Sequence, residues 1–223
     1  MLPWIKLDTA GIPDGREELT LKRRGDEFSI MLGSNELMNS RVSGSEEALA
    51  KLSCARLDGR PAPCILIGGL GMGFTLRAAL AALGPKAKIA VAELVPAVVA
   101  WARGPMAGIF AGCLDDPRVE ILEADVADAT AEANNAYDAI LLDVDNGPDG
   151  LSRAANDRLY DNRGLAAARK ALAQGGVLAV WSAHPDRAFA ARLRRAGFDV
   201  EEVNTRARGK RGARHVIWLA RKA

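Results

Sequence analysis

The chemistry legible in this sequence is carried by one run of glycines and by the acids spaced behind it. Ile67-Gly68-Gly69-Leu70-Gly71-Met72-Gly73-Phe74 lies between a short apolar run and a helical stretch. Glycines there let the main chain turn tightly and let a ligand come into contact with the backbone. The dinucleotide fingerprint G-x-G-x-x-G is not met: counted from Gly69 its last place is Phe74, and from Gly71 it is Leu76. The pattern G-x-G-x-G, made by Gly69, Gly71 and Gly73, favours adenosylmethionine over NAD. Glu93 stands 20 residues beyond Gly73, where a carboxylate can accept both hydroxyls of a ribose. Without the loop it would read as a solvated charge at a strand end. Asp125, in Glu123-Ala124-Asp125-Val126, can accept an adenine amino group, with Val126 beside it, or can cap a helix. Asp143 opens Asp143-Val144-Asp145-Asn146-Gly147-Pro148 and is the best-placed base for an incoming nucleophile, with Asp145 as its substitute.

These residues need a scaffold that brings strand ends together, and the pattern supplies one. Cys64–Ile67, Lys88–Ala92, Val119–Leu122, Ala139–Leu142 and Val177–Trp181 read as buried strands. Thr75–Ala82, Pro96–Ala102 and Leu165–Leu172 read as the helices between them, the last ended by Gly175-Gly176. Such alternation implies a parallel sheet with helices on both faces, where ligands sit beyond the carboxyl ends of the strands. After a helix at Arg187–Ala196, Phe198–Val203 and His215–Ala220 read as two further strands. The link Thr205–Ala213 is too short for a helical crossover, so the last strand is expected to be antiparallel. Upstream, Leu19 and Leu21 alternate, as do Phe28, Ile30 and Leu32, which predicts a β-hairpin turning at Arg24-Gly25-Asp26-Glu27. Ser43 followed by Glu46 has the spacing of a capping box opening a helix over Glu46–Leu52. The expected organisation is a small N-terminal β-hairpin and helix over residues 1–60 and an α/β domain over 61–223.

Composition narrows the field further. The 223 residues are 49% hydrophobic and 26% charged, the range of a soluble globular chain, and the formal charge of +2 sets up no global attraction for a polyanion. No uninterrupted apolar stretch approaches a membrane span, and the start MLPWIKLDTAG has no signal-peptide pattern, so a cytoplasmic location is expected. Three cysteines without C-x-x-C spacing and two histidines assemble no metal site.

At IGGLGMGFTLR, AELVPAVVAWAR, DDPRVEILEADV, YDAILLDVDNGP and ALAQGGVLAV the chain resembles the spermidine synthase-like, polyamine aminopropyltransferase-related branch of the class I adenosylmethionine-dependent methyltransferase superfamily. The resemblance implies a Rossmann-like, mostly parallel sheet with an antiparallel terminal strand. It also implies an adenosyl site made by Gly69, Gly71, Met72, Gly73, Glu93, Asp125, Val126 and Asp143, and a homodimer. Two departures matter. Met72 stands where the family has the aspartate that holds the amine of decarboxylated adenosylmethionine, and Asn146 stands at the second family aspartate of the loop after the fourth strand. Tyr160 resembles a family tyrosine near the substrate pocket, although a lone tyrosine is more often a packing group. Because methionine cannot pair with an ammonium group, the expectation is a methyltransferase that uses intact adenosylmethionine on a small acceptor. The alternatives are an aminopropyltransferase using decarboxylated adenosylmethionine and a non-catalytic adenosyl-binding protein. Arg206, Arg208, Lys210, Arg211 and Arg214 could attract nucleic acid, but no aromatic residues interleave with them, and a solvated turn is favoured.

Overall fold

The computed structural model describes residues 2–13, 17–57, 59–144, 147–148, 157–208 and 211–223. Its first part is an antiparallel sheet of β1 (Ile5–Gly11), β2 (Glu18–Arg24), β3 (Glu27–Leu32) and β4 (Asn35–Asn39), in that order. The expected hairpin is β2–β3, with Leu19 opposite Leu32 and Leu21 opposite Ile30. The strands on either side of it have no clean alternation in sequence, because β1 is exposed over most of its length and β4 is short. Helix α1 (Gly44–Cys54) follows. The capping box does not form: Ser43 makes no side-chain cap and its hydroxyl donates instead to Glu47 (2.9 Å).

The main body runs β5 (Cys64–Gly68), α2 (Phe74–Ala82), β6 (Lys88–Ala92), α3 (Pro96–Arg103), α4 (Ala107–Phe110), β7 (Val119–Leu122), α5 (Val126–Glu132), β8 (Tyr137–Leu142), α6 (Asp157–Tyr160), α7 (Asn162–Ala171), β9 (Leu172–Ser182), α8 (Arg187–Arg195), β10 (Phe198–Arg208) and β11 (Arg211–Lys222). The sheet order is β10-β11-β9-β8-β5-β6-β7. β5 to β9 are mutually parallel, while β11 is antiparallel to both β9 and β10. Two sequence expectations shift. α7 stops at Ala171 because Leu172 is already extended, and Gly175 sits inside β9 at a positive φ of 70° rather than ending the helix. β10 and β11 also run well past Val203 and start well before His215, as one long ribbon.

Strand alternation divides the core into two layers. Ile65, Ile67, Leu141, Val177, Ala179 and Leu219 face α2, α3 and the small N-terminal sheet, whose Leu21 and Ile30 are fully buried in the same cluster. Leu66, Ile140, Leu142, Leu178, Val180 and Trp218 face α5, α7 and α8. Burial on both sides explains why these strands read as continuous apolar runs. Trp101 on α3 is buried and donates from Nε1 to Asp8 (2.7 Å), tying α3 to β1. No helix among the described residues is long and apolar enough to cross a membrane. β5 lies where the strand order reverses, between β8 and β6, so the loops leaving β5, β6 and β8 open into one crevice.

Candidate active site

The glycine loop leaves β5 and turns into α2 against its neighbours with no room to spare. A side chain at Gly69, where φ is +90°, would put its Cβ 2.5 Å from the main-chain oxygen of Asp143. Gly73 is the residue before α2 at φ +74°, and a Cβ there would lie 2.5 Å from the Phe110 ring. Only glycine satisfies both the conformation and the close approach.

Glu93 follows β6 and is almost wholly buried. Leu70 N–H donates to its Oε2 (3.0 Å) and Val95 N–H to its Oε1 (2.9 Å). Burial raises its pKa, and main-chain donors led by Val95 and Leu70 oppose that shift. The carboxylate shapes the glycine loop and also lines the cleft, where it can meet hydroxyls of a ligand. Asp125 is the N-cap of α5: its Oδ1 accepts from Ala127 N–H (2.8 Å), and Arg158 on α6 donates to its Oδ2 (2.7 Å). It nevertheless lines the cleft, as does Val126.

Asp143 follows β8. Thr75 Oγ1, in the first turn of α2, donates to its Oδ2 (2.7 Å). Burial, and after it the charge of Glu46, push this carboxyl up from 3.8 to about 7, against the pull of the Thr75 hydrogen bond. A carboxyl poised there can take a proton near neutral pH.

Two hollows meet at Asp143. The larger cleft holds ≈ 750 Å³ of atom-free space including its mouth, and is lined by Gly69, Gly71, Glu93, Asp125, Val126 and Asp143 with apolar walls from Ile12, Leu19, Ile30, Val95 and Val98. The smaller, of ≈ 560 Å³, is lined by Glu46, Met72, Phe74, Asp143 and Trp181. Leu37, Met38, Gly71 and Asp143 belong to both, so the two are lobes of one space. Among the described residues Glu93, Asp125, Asp143 and Glu46 line it, and no Lys, Arg or His does. Such a space favours a cation.

Several site residues end up elsewhere than the sequence implies. Tyr160 is not in the wall of either lobe. It borders a separate hollow with Pro148, Asp161, Asn162 and Arg192, and its ring meets Phe189 edge-on at 5.7 Å, because α6 turns it toward α8. Gly73 and Met72 also differ in role: Gly73 shapes the loop without lining the space, and Met72 is a buried wall of the smaller lobe. Asp145 and Asn146 lie outside the described residues, as does Lys210. Conversely, Glu46, Thr75 and Met38 were missed. Glu46 has the spacing of a helix cap, and no motif in the sequence marks it for the site.

No protein-family model matches the chain. Polyamine aminopropyltransferase 1 of Streptomyces coelicolor is 35% identical over 123 residues, 54% of this chain and 22% of that protein. The polyamine aminopropyltransferase of Mycobacterium tuberculosis is 31% identical over 173 residues, 76% of this chain and 31% of its own. This chain therefore spans less than a third of the curated relatives it matches. The spermidine synthase of Thermotoga maritima superposes with a TM-score of 0.78 at 20% identity, covering 98% of this chain and 73% of the other. A spermidine synthase in complex with the transition state analogue AdoDATO superposes at 0.75 with 21% identity, covering 98% and 72%.

The fold is that of the spermidine synthases. These similarities overturn the methyltransferase expectation, since the named relatives are aminopropyltransferases and the solved neighbours are spermidine synthases. The expectation rested on Met72 alone. Met72 lines the smaller lobe together with Glu46 from α1.

Proposed function

We propose that this chain is an aminopropyltransferase of the spermidine synthase type, which moves the aminopropyl group of decarboxylated adenosylmethionine to a small amine. The observation that carries this reading is the lining of the joined lobes: four carboxylates and no basic side chain among the described residues. An amine acceptor and a decarboxylated donor are both cations and gain from that field. Intact adenosylmethionine would bring a carboxylate into it at a cost.

The donor's fit can be argued from the chain. Glu93 lines the cleft where ribose hydroxyls can meet it, Asp125 faces the same cleft, and Ile12, Leu19, Val95, Val98 and Val126 offer apolar surface for a base. The sulfonium supplies an electrophilic carbon that needs no further activation. What remains for the protein is alignment and proton removal. Asp143, at the junction of the lobes with a pKa of about 7, takes a proton from the acceptor ammonium so that the nitrogen lone pair becomes available. Thr75 holds the oxygen that is not needed for this. Glu46 and Asp143 together hold the acceptor's positive charge in the smaller lobe.

The test is incubation with decarboxylated adenosylmethionine and 1,4-diaminobutane, following release of methylthioadenosine. Intact adenosylmethionine serves in a parallel reaction followed by release of its demethylated product, since methyl transfer leaves no methylthioadenosine. Release with the decarboxylated donor alone is the expected result. Transfer from intact adenosylmethionine alone, or no transfer from either, would overturn the reading.

A further inference from the structure

Behind the smaller lobe a line of hydrogen-bonding groups leads away to β11. Glu46 Oε2 accepts from Ser45 Oγ at 2.6 Å. Ser45 is fully buried in the first turn of α1, and its Oγ stands 2.9 Å from Nδ1 of His215. The His215 ring meets Trp181 edge-on, centroids 4.8 Å apart, and Trp181 is itself a wall of the lobe. His215 is only half-buried, so the line starts at the enclosed carboxylates and ends at a group with access to solvent. A hydroxyl donates one proton and accepts others, so it can hand a proton on while its oxygen stays in place.

We propose that Glu46, Ser45 and His215 form a relay that carries the proton released by the acceptor amine out of the site. This rests on the transferase reading above. The acceptor enters as an ammonium and the product leaves as one, so each transfer frees one proton. The nitrogen lone pair forms the new C–N bond, and the C–S bond breaks with its electron pair going to sulfur. The proton lost by the acceptor beforehand goes to the pair of Asp143 and Glu46. Once Glu46 is protonated, the Ser45 hydroxyl turns to donate to Nδ1 of His215, in its Nε2–H form, and accepts from Glu46. The proton then passes from Glu46 to Ser45 Oγ while the proton of Ser45 moves to Nδ1, and the resulting imidazolium returns one proton to solvent.

The surroundings of His215 suit that role. Burial, and after it the neighbouring His184, hold its pKa below the ordinary value, so it is neutral near pH 7 and does not retain the proton it receives. The facing groups are His184 after β9, Trp181 on β9, and Glu46 through Ser45 on α1. A purely structural reading would have the Ser45–His215 bond do no more than pin α1 to the sheet.

Two measurements separate these readings. The chain has two histidines, so labelled histidine gives two imidazole signals, which His184→Gln assigns. Glu46→Gln should move the His215 titration midpoint to lower pH by roughly 0.5–1 unit, because a negative charge at the far end of the line is lost. His184 should stay in place. In turnover with decarboxylated adenosylmethionine and 1,4-diaminobutane, His215→Asn keeps an amide that can hydrogen-bond Ser45 where Nδ1 was and preserves the pin. It should lower kcat about tenfold or more with KM unchanged, and added imidazole should restore part of the rate. A His215 midpoint unmoved by Glu46→Gln, or a His215→Asn chain with undiminished kcat across the pH range, would overturn the relay. Absence of turnover in the unaltered chain would count against the transferase reading instead, so the two failures are told apart.

Discussion

Replacing Asp143 by Asn removes a charge that the fold holds at a cost. The carboxyl is enclosed between β8 and α2, 2.7 Å from the Thr75 hydroxyl and close to Glu46. Its pKa of about 7 in the fold, against an ordinary 3.8, means that the folded chain binds more protons than the unfolded chain between those values. Stability from this group is therefore full below about pH 4 and is lost as pH rises through about 7. The interval from 3.8 to about 7, at about 1.4 kcal/mol for each pH unit, makes roughly 4 kcal/mol lost by pH 8. Asparagine is nearly isosteric, keeps an oxygen for Thr75, and has no charge to desolvate or to set against Glu46. Urea unfolding followed by tryptophan fluorescence between about pH 4 and pH 9 should show Asp143→Asn more stable at high pH, by up to roughly 4 kcal/mol, and equal to the unaltered chain at about pH 4. Binding of methylthioadenosine should persist while transfer falls on the order of 10²–10⁴-fold. A stability difference that does not change with pH, or one that favours aspartate above pH 7, would refute the picture of an enclosed and destabilising base.

Glu93→Ala removes the acceptor for the Leu70 and Val95 N–H groups along with the proposed ribose partner. Calorimetry should show decarboxylated adenosylmethionine and methylthioadenosine weakened alike, by about 1–3 kcal/mol; unequal losses, or none, would mean that Glu93 does not meet the ribose. Gly69→Ala places a Cβ 2.5 Å from the Asp143 carbonyl at a φ of +90°, and thermal unfolding should show a loss of about 1–3 kcal/mol. An unchanged melting temperature would show that the loop is looser than described.

The acids that end strands could be found in sequence because a parallel sheet converts chain position into place: whatever follows β5, β6, β7 or β8 arrives at one edge. Glu93, Asp125 and Asp143 were legible on that ground, and the glycines with them. Arg206 to Arg214 was read as a turn because charged residues hide the alternation of a ribbon whose faces are largely solvated. Tyr160 lies outside both lobes because α6 is a single turn, and no local pattern says which way a single turn faces.

Glu46 marks the boundary between the two kinds of knowledge. Its local pattern, an acid three residues after a serine, points to a helix cap, and local pattern is all that sequence reading can weigh. The sequence by itself determined that β5 to β9 are buried strands, that a glycine loop meets three acids at their carboxyl ends, and that the final strand turns back. These follow from hydrophobic periodicity and link lengths, which are properties of neighbouring residues. Only the tertiary structure decided that α1 sets Glu46 across a cavity from Asp143, 97 positions on along the chain, and backs it with Ser45 and His215. The reason is physical: the field that raises the Asp143 pKa comes from charges close in space and burial from all sides, and neither quantity is carried by spacing along a strand.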